Sequence, residues 1–314
     1  MSGPARHAPP SMPMSKPMIG IGLLYLSAWF LCLLDASGKW IMAVGVPLFF
    51  MLWARFLVHF LIVAVLLVPT RGWKAFKSHQ PAMQLLRGLV MFLGTITFFS
   101  CLHYLPQAEA TSIAFMSPLI MLLMAPWLLG EPMHKSRWVA AIFGFIGVLI
   151  IIRPSSGLNM TGVAFGLITA VLFAAMHTLS RKIASDHPYT SILWSGAVGS
   201  VVLTLILPFI WESSREVLSE LTEWQWMVMI SLGFSGALGH LLQISAYRNA
   251  PASLLAPFIY LQITAAATIG WLIWGHFPDG ITWIGIGIIC CSGIGIGWLE
   301  WRRTSRNAVL KSVG

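Results

Sequence analysis

Tyr104-Leu-Pro-Gln-Ala-Glu-Ala leads into an apolar segment that closes on Leu-Leu-Gly130-Glu131-Pro132, and in the other half of the chain Tyr247-Arg-Asn-Ala-Pro-Ala-Ser leads into one that closes on Ile-Trp-Gly275-His276-Phe277. A glycine-rich apolar segment follows each, at 137–153 and 280–299. Proline lacks an N–H and biases the residue before it away from helix. Leu105-Pro106 and Ala250-Pro251 therefore read as junctions between two helices rather than the middle of one.

Outward from these stretches the chain divides into apolar runs at 18–39, 47–69, 83–104, 107–129, 137–153, 161–181, 188–211, 226–248, 251–275 and 280–299. Each is close to the roughly 20 residues that carry a helix across a hydrocarbon core about 30 Å thick. The expected fold is an all-α integral membrane protein of ten transmembrane helices in two five-helix repeats, 18–153 and 161–301. A proline-rich, disordered cytosolic tail is expected at 1–17, a loop around 212–225 and a basic cytosolic tail at 302–314. Because five is odd, the second repeat enters the bilayer upside down relative to the first. Such inverted repeats are a common frame of secondary transporters, whose halves exchange conformations to move access from one side to the other.

Composition removes the other classes. Of 314 residues, 57% are hydrophobic and 9% charged, against roughly 25% charged in soluble domains, so no soluble fold could cover this apolar surface. The net charge of +9 does not mark a nucleic-acid binder, because the basic residues lie in short clusters between apolar runs. With the N-terminus in the cytosol, Arg6, Lys16, Arg71, Lys74, Lys77, Arg87, Lys135, Arg137, Arg181, Lys182, Arg248, Arg302, Arg303, Arg306 and Lys311 fall on the cytosolic side and Lys39, Arg153 and Arg215 on the outer side, fifteen against three. The positive-inside rule predicts that asymmetry, so a multi-pass protein of the cell's inner (plasma) membrane with both termini cytosolic is expected. Cys32, Cys101, Cys290 and Cys291 lie inside apolar runs without C-x-x-C spacing, so neither a zinc site nor a disulfide framework is implied. The signatures of nucleotide-binding loops, zinc proteases and hydrolase elbows are absent from the sequence. No cofactor, metal or catalytic residue is assigned.

An ionisable side chain at membrane depth is costly unless it is paired or faces water, so each is a candidate for function. Asp35 and Lys39 stand four apart on the first helix, and Arg55 and His59 four apart on the second. Asp35 is expected to pair with Arg55, either as a structural lock or as a gate. In the eighth helix Gly233, Gly236, His240, Gln243 and Tyr247 share one face; in the ninth Ser253, Pro257, Tyr260 and Thr264 do; in the fourth Glu109, Ser112 and Met116 do. The expected binding site joins His240, Gln243, Tyr260 and Gln262 to a facing wall of Trp29, Glu109 and Met116. Tyr260 and Gln262 cannot both point into it from a straight helix, since two residues turn the helix by about 200°. Tyr260 is the one expected inside. The glycines of 144–166 and 285–297 read as surfaces of close helix packing.

The chain resembles the EamA group of the drug/metabolite transporter superfamily from Met18 to Trp301. The resemblance is carried by Ala54-Arg55-Phe-Leu, Leu-Leu-Arg87-Gly-Leu, Tyr104-Leu-Pro-Gln-Ala-Glu109-Ala-Thr, Ser117-Pro118-Leu, Leu-Gly130-Glu131-Pro, Ala246-Tyr-Arg-Asn-Ala-Pro-Ala-Ser-Leu-Leu-Ala-Pro257-Phe and Tyr260-Leu-Gln262. Gly275-His276 stands where the family often has Gly-Glu. The resemblance implies ten helices, no use of ATP and movement of a small metabolite, often outward; Gln262 enters the candidate site partly on this ground. The expected partners are that metabolite and the lipid bilayer, without nucleic acid, and a homodimer is among the assemblies open to it. The alternative is an intramembrane enzyme acting on a lipid or lipid-linked substrate with His and Asp as acid and base, for which the ionisable residues are scattered too widely.

The loop charges make a direct prediction. Topology reporters fused after Lys77, near Glu220 and at the C-terminus are expected to read inside, outside and inside; an outside reading at the C-terminus would remove the inverted repeat.

Overall fold

The computed structural model describes residues 17–130, 135–153, 157–250 and 255–313. Their secondary structure is helical: α1 (Pro17–Ala43), α2 (Leu48–Arg71), α3 (Pro81–Tyr104), α4 (Gln107–Ala114), α5 (Ser117–Leu129), α6 (Lys135–Ile151), α7 (Met160–Lys182), α8 (Pro188–Glu220), α9 (Glu223–Asn249), α10 (Leu261–Trp274) and α11 (Gly280–Val313), with 3-10 turns at Gly72–Phe76 and Ala256–Tyr260. Eight stretches among the described residues are long and apolar enough to cross a membrane, counting α4 and α5 together, and two further apolar helices, Trp138–Ile151 and Phe258–Trp274, are shorter. The all-α membrane class expected from composition is the one found. The tail before residue 17, Glu131 and residues 251–254, with Ser253, lie outside the described residues.

Several boundaries differ from the sequence expectation. The fourth apolar run is not one helix: α4 stops at Ala114, and Pro118 opens α5, where its missing N–H costs least. The polypeptide at this break stays bonded, Phe115 N–H to Thr111 O at 2.9 Å and Met116 N–H to Ile113 O at 3.1 Å. Among the described residues of the ninth run, a 3-10 turn with Pro257 near its start precedes α10. Most of the expected loop at 212–225 is instead a continuation of α8 to Glu220, and α11 runs through the expected tail to Val313. The repeated glycines have a shared cause: Gly130 (φ 66°) and Gly275 (φ 69°) end α5 and α10 in the left-handed conformation, which side chains with a Cβ resist.

Packing joins distant parts of the chain. α1 lies along α9, α3 along α7 and α6 along α11; α2 packs on α8 and α9, α3 on α8, α5 and α4 on α7, and α10 on α1 and α4. Small residues permit the closest approaches. A Cβ on Gly199 of α8 would lie 2.4 Å from the Phe56 ring, and one on Gly233 of α9 would lie 2.8 Å from the backbone nitrogen of His59. Where α6 meets α11, a Cβ on Gly147 would lie 2.8 Å from the carbonyl oxygen of Gly285, and one on Gly285 would lie 2.7 Å from that of Gly147. Gly287 and Gly295 have open space instead. Large apolar side chains such as Leu205 and Phe209 point outward from α8, as lipid-facing surfaces require.

Two polar clasps hold the loops. Between α7 and α8, Asp186 accepts from the Ser78 hydroxyl, from the His79 N–H at 2.8 Å and from Gln84 Nε2 at 2.9 Å. Desolvation pushes its carboxyl up, but these hydrogen bonds outweigh it and hold the group below the usual carboxylate range. Elsewhere Asp279 accepts from the Thr282 N–H at 2.8 Å and pairs with Arg153. The bonds from Thr282 lead in holding that carboxyl low, with Arg153 adding to them.

The glycine contacts separate two kinds of site. Gly147→Ala and Gly285→Ala are each expected to cost about 1–3 kcal/mol by overpacking, read as a lower melting temperature of the purified protein, whereas Gly287→Ala and Gly295→Ala leave it unchanged or raised.

Candidate functional site

α2 presents Arg55 and His59 one helical turn apart, so both face the same side with Phe56 beside them. α3 adds Met91, α8 adds Ser195 and Gly196, and α9 adds His240; these residues enclose a cavity of about 10 Å³, close to the least that holds one water molecule. Close packing is built into its walls. A Cβ on Gly196 would lie 3.1 Å from His59 Cδ2, and one on Gly236 of α9 would lie 3.6 Å from His59 Nδ1. The two imidazoles meet edge to face, with ring centroids 5.8 Å apart at 80°. Gln243 stands one turn beyond His240 on α9.

Arg55 dominates the electrostatics. Only 8% of the residue is exposed, its guanidinium lies over the rings of Phe56 at 4.8 Å and Phe99 at 5.7 Å, and Nε and Nη1 have no hydrogen-bond partner. Asp35 on α1, 6% exposed, is its opposite charge in the interior. The expected contact pair is not formed in this conformation: among the described residues no ion pair joins Asp35 to Arg55. A second guanidinium, that of Arg87, reaches a residue of the cavity wall and is engaged through two of its nitrogens. Arg87 donates from Nε to Ser180 Oγ at 2.7 Å and from Nη1 to Ser195 Oγ at 2.6 Å and to the Ser191 carbonyl at 3.1 Å.

The remaining expected site residues fall elsewhere. Lys39 donates to the Leu105 carbonyl at 2.5 Å and sits 5.2 Å from the Trp274 ring. Nearby, Gln107 Nε2 donates to the Cys32 carbonyl at 2.9 Å, and Glu109 is buried with Oε2 unpartnered; its charge neighbour is Lys39. Trp29 packs with Cys32, Ala36, Ala265, Ala266 and Ile269 between α1 and α10. Met116 is a core residue at the α4–α5 break. Tyr260 is buried against Phe115, ring centroids 5.6 Å apart, and its hydroxyl fills the space above Gly293 on α11. Gln262 follows at the start of α10, and its backbone carbonyl accepts from Cys32 Sγ at 3.3 Å. The structure thus brings Arg55, His59, His240 and Gln243 together, with Asp35 close behind, and seats Tyr260, Trp29, Met116 and Glu109 outside the cavity wall.

Phe56, Met91, Ser195, Gly196 and Arg87 were not singled out as site residues from the sequence. Arg87 was counted among the loop cations. The available signal was its place beyond Gln84 inside an apolar run, with serines at 191 and 195 spaced to share a helix face.

Comparison with known proteins places this arrangement among relatives. The EamA-like transporter family matches residues 18–153 and again 160–298. The S-adenosylmethionine uptake transporter of Rickettsia bellii (strain RML369-C) is 27% identical, covering 75% of this chain and 79% of its own length. The riboflavin transporter of Vibrio cholerae serotype O1 is 29% identical over 80% and 84% of the two chains, and the pseudopaline exporter of Pseudomonas aeruginosa (strain UCBPP-PA14) is 29% identical over 64% and 69%. A solved crystal structure superposes with a TM-score of 0.58 at 19% identity, over 90% of this chain and 98% of that one, a likeness of fold.

The buried charges are expected to couple without touching. Asp35→Asn and Arg55→Met should each lower the melting temperature, and the double variant should lose less than the sum of the two, by an interaction of about 0.5–3 kcal/mol; strict additivity would show that the two charges do not sense each other.

Proposed function

This chain belongs to the EamA-like transporter family, and from that premise we propose that it is a secondary transporter, carrying a small metabolite across the cytoplasmic membrane by alternating access around the cavity of Arg55, His59 and His240. The observation that carries this reading is the origin of the cavity walls. Arg55, Phe56, His59 and Met91 come from the first half of the chain, and Ser195, Gly196 and His240 from the second. A site between two repeats is where a rocking motion of one against the other opens it to alternate sides.

The helix pairing supports an inverted repeat. With α4–α5 counted as one span and the Ala256–Tyr260 turn joined to α10, this reading counts ten spans, and the main pairings have counterparts five spans on. α1 on α9 answers to α7 on α3, α2 on α9 answers to α8 on α3, and α1 on α10 answers to α7 on α4 and α5; α2–α8, α6–α11 and α4–α10 map onto themselves. Pro118 and Pro257 correspond as well, each at the second position of a helical segment. The two family matches fall on the same halves. With the loop-charge asymmetry, these features support a topology with both termini in the cytosol. Relatives are named for uptake and for export; net direction in such a protein follows the gradients of substrate and any coupled ion, and we assign export as the working direction.

The test is solute flux in proteoliposomes without ATP, using compounds first identified by metabolite profiling of cells and medium in a deletion strain and an overexpressor. ATP-independent flux is expected, abolished by His240→Ala and by Gln243→Ala with normal membrane insertion. Tyr260→Ala is expected to act through stability instead, costing about 3–5 kcal/mol as a buried aromatic. Turnover of a lipid substrate without solute flux would replace the transporter reading with an enzymatic one.

A further inference from the structure

The geometry points to an anionic group on the substrate, a carboxylate or a phosphate, that docks on the Arg55 guanidinium. This inference rests on the transport reading and adds the substrate's chemical class. Its basis is an accounting of donors around the cavity. Ser195 is already engaged: its hydroxyl donates to the Ser191 carbonyl at 2.8 Å and its oxygen accepts from Arg87 at 2.6 Å. Arg87 itself is turned toward the two serines and a carbonyl. Among the described residues, Arg55 is the guanidinium that lines the cavity, and two of its nitrogens, Nε and Nη1, have no hydrogen-bond partner.

A buried guanidinium with unpaired donors is an expensive arrangement, and its planar fork matches a carboxylate or phosphate oxygen pair. Neither neighbour supplies that partner here. Phe56 and Phe99 offer only ring faces, and Asp35 supplies opposite charge without a contact. His59 and His240 stand on the same wall as Arg55, and each neutral imidazole carries one N–H for a further acceptor. At about 10 Å³ the cavity is closed to anything larger than water, so the anion enters only as the halves separate. Asp35 then acts as a competitor, repelling the incoming anion and recovering Arg55 after release.

The full-length protein in lipid nanodiscs is titrated by thermal shift and calorimetry with matched probes: benzoate against benzamide, succinate against succinamide, glycerol 3-phosphate against glycerol, and inorganic phosphate. Binding of a carboxylate or a phosphate probe at millimolar concentration is expected, at least tenfold tighter than its neutral partner. Arg55→Gln should weaken it tenfold or more, Arg55→Lys should retain part of it, and Asp35→Asn should tighten it, each with an unchanged size-exclusion profile. Which probes bind separates carboxylate from phosphate. No binding by any anion, equal binding by neutral partners, or affinity that survives Arg55→Gln overturns the inference. Flux of a neutral or cationic solute that survives Arg55→Gln removes the anion assignment and leaves the transporter reading standing. Anion binding that depends on Arg55 without flux of any solute removes transport and leaves the site.

Discussion

In hydrocarbon a peptide N–H or C=O without a partner has no water to turn to, and this chain departs from the helical ladder only where protein supplies the missing bond. At the α4–α5 break the amides of Phe115 and Met116 find carbonyls one turn back. The carbonyl of Leu105, in the extended link between α3 and α4, is taken by the ammonium of Lys39. Gln107 reaches across to the carbonyl of Cys32 on α1. The α3–α4 link is thus tied to α1 by two side chains, whereas the α4–α5 break is held by its own main chain.

The same scarcity of water governs the charges. Arg87 spends its donors on serine oxygens and a carbonyl, whereas Arg55 is left facing two aromatic rings, two histidines and a small void. The two arginines therefore stand differently, one binding helices α3, α7 and α8 together and the other keeping two nitrogens without a protein partner. The distinction comes from where the oxygens lie, since both guanidiniums are equally charged.

Much of this could be read before any coordinates. Helical class follows from apolar run length, and the helix stops at Gly130 and Gly275 follow from a residue that alone tolerates the left-handed turn. Arg55, His59 and His240 stand out in the sequence because each is a polar group too costly to stand in lipid without a reason, and the structure sets them around one cavity. Tyr260 stands out by the same logic, yet a tyrosine is mostly ring, and its hydroxyl lies above Gly293 rather than on that wall. Asp35 and Arg55 lie at matching depth in sequence, yet rotation of α1 and α2 about their axes decides contact, and a list of residues carries no such angle. The fourth run looked continuous because Phe115 and Met116 are as apolar as their neighbours; a hydropathy profile registers burial, and the break is an event of hydrogen bonding. The extension of α8 past residue 211 was hidden for the opposite reason, its Glu and Ser content resembling a loop while the backbone remained free to coil.

The mutual seating of Gly147 and Gly285 has a mechanical meaning. With each glycine pressed on the other's carbonyl oxygen, α6 and α11 share a contact between main chains, and no rotamer change can loosen it. Sliding either helix along the other would drive a neighbouring side chain into that oxygen, so the pair resists translation and yields most easily to rotation about the contact point. One member belongs to each half of the chain. In the alternating-access motion proposed above, the crossing would serve as a fulcrum, its leverage over the Arg55 cavity set by how far that cavity stands from two glycines.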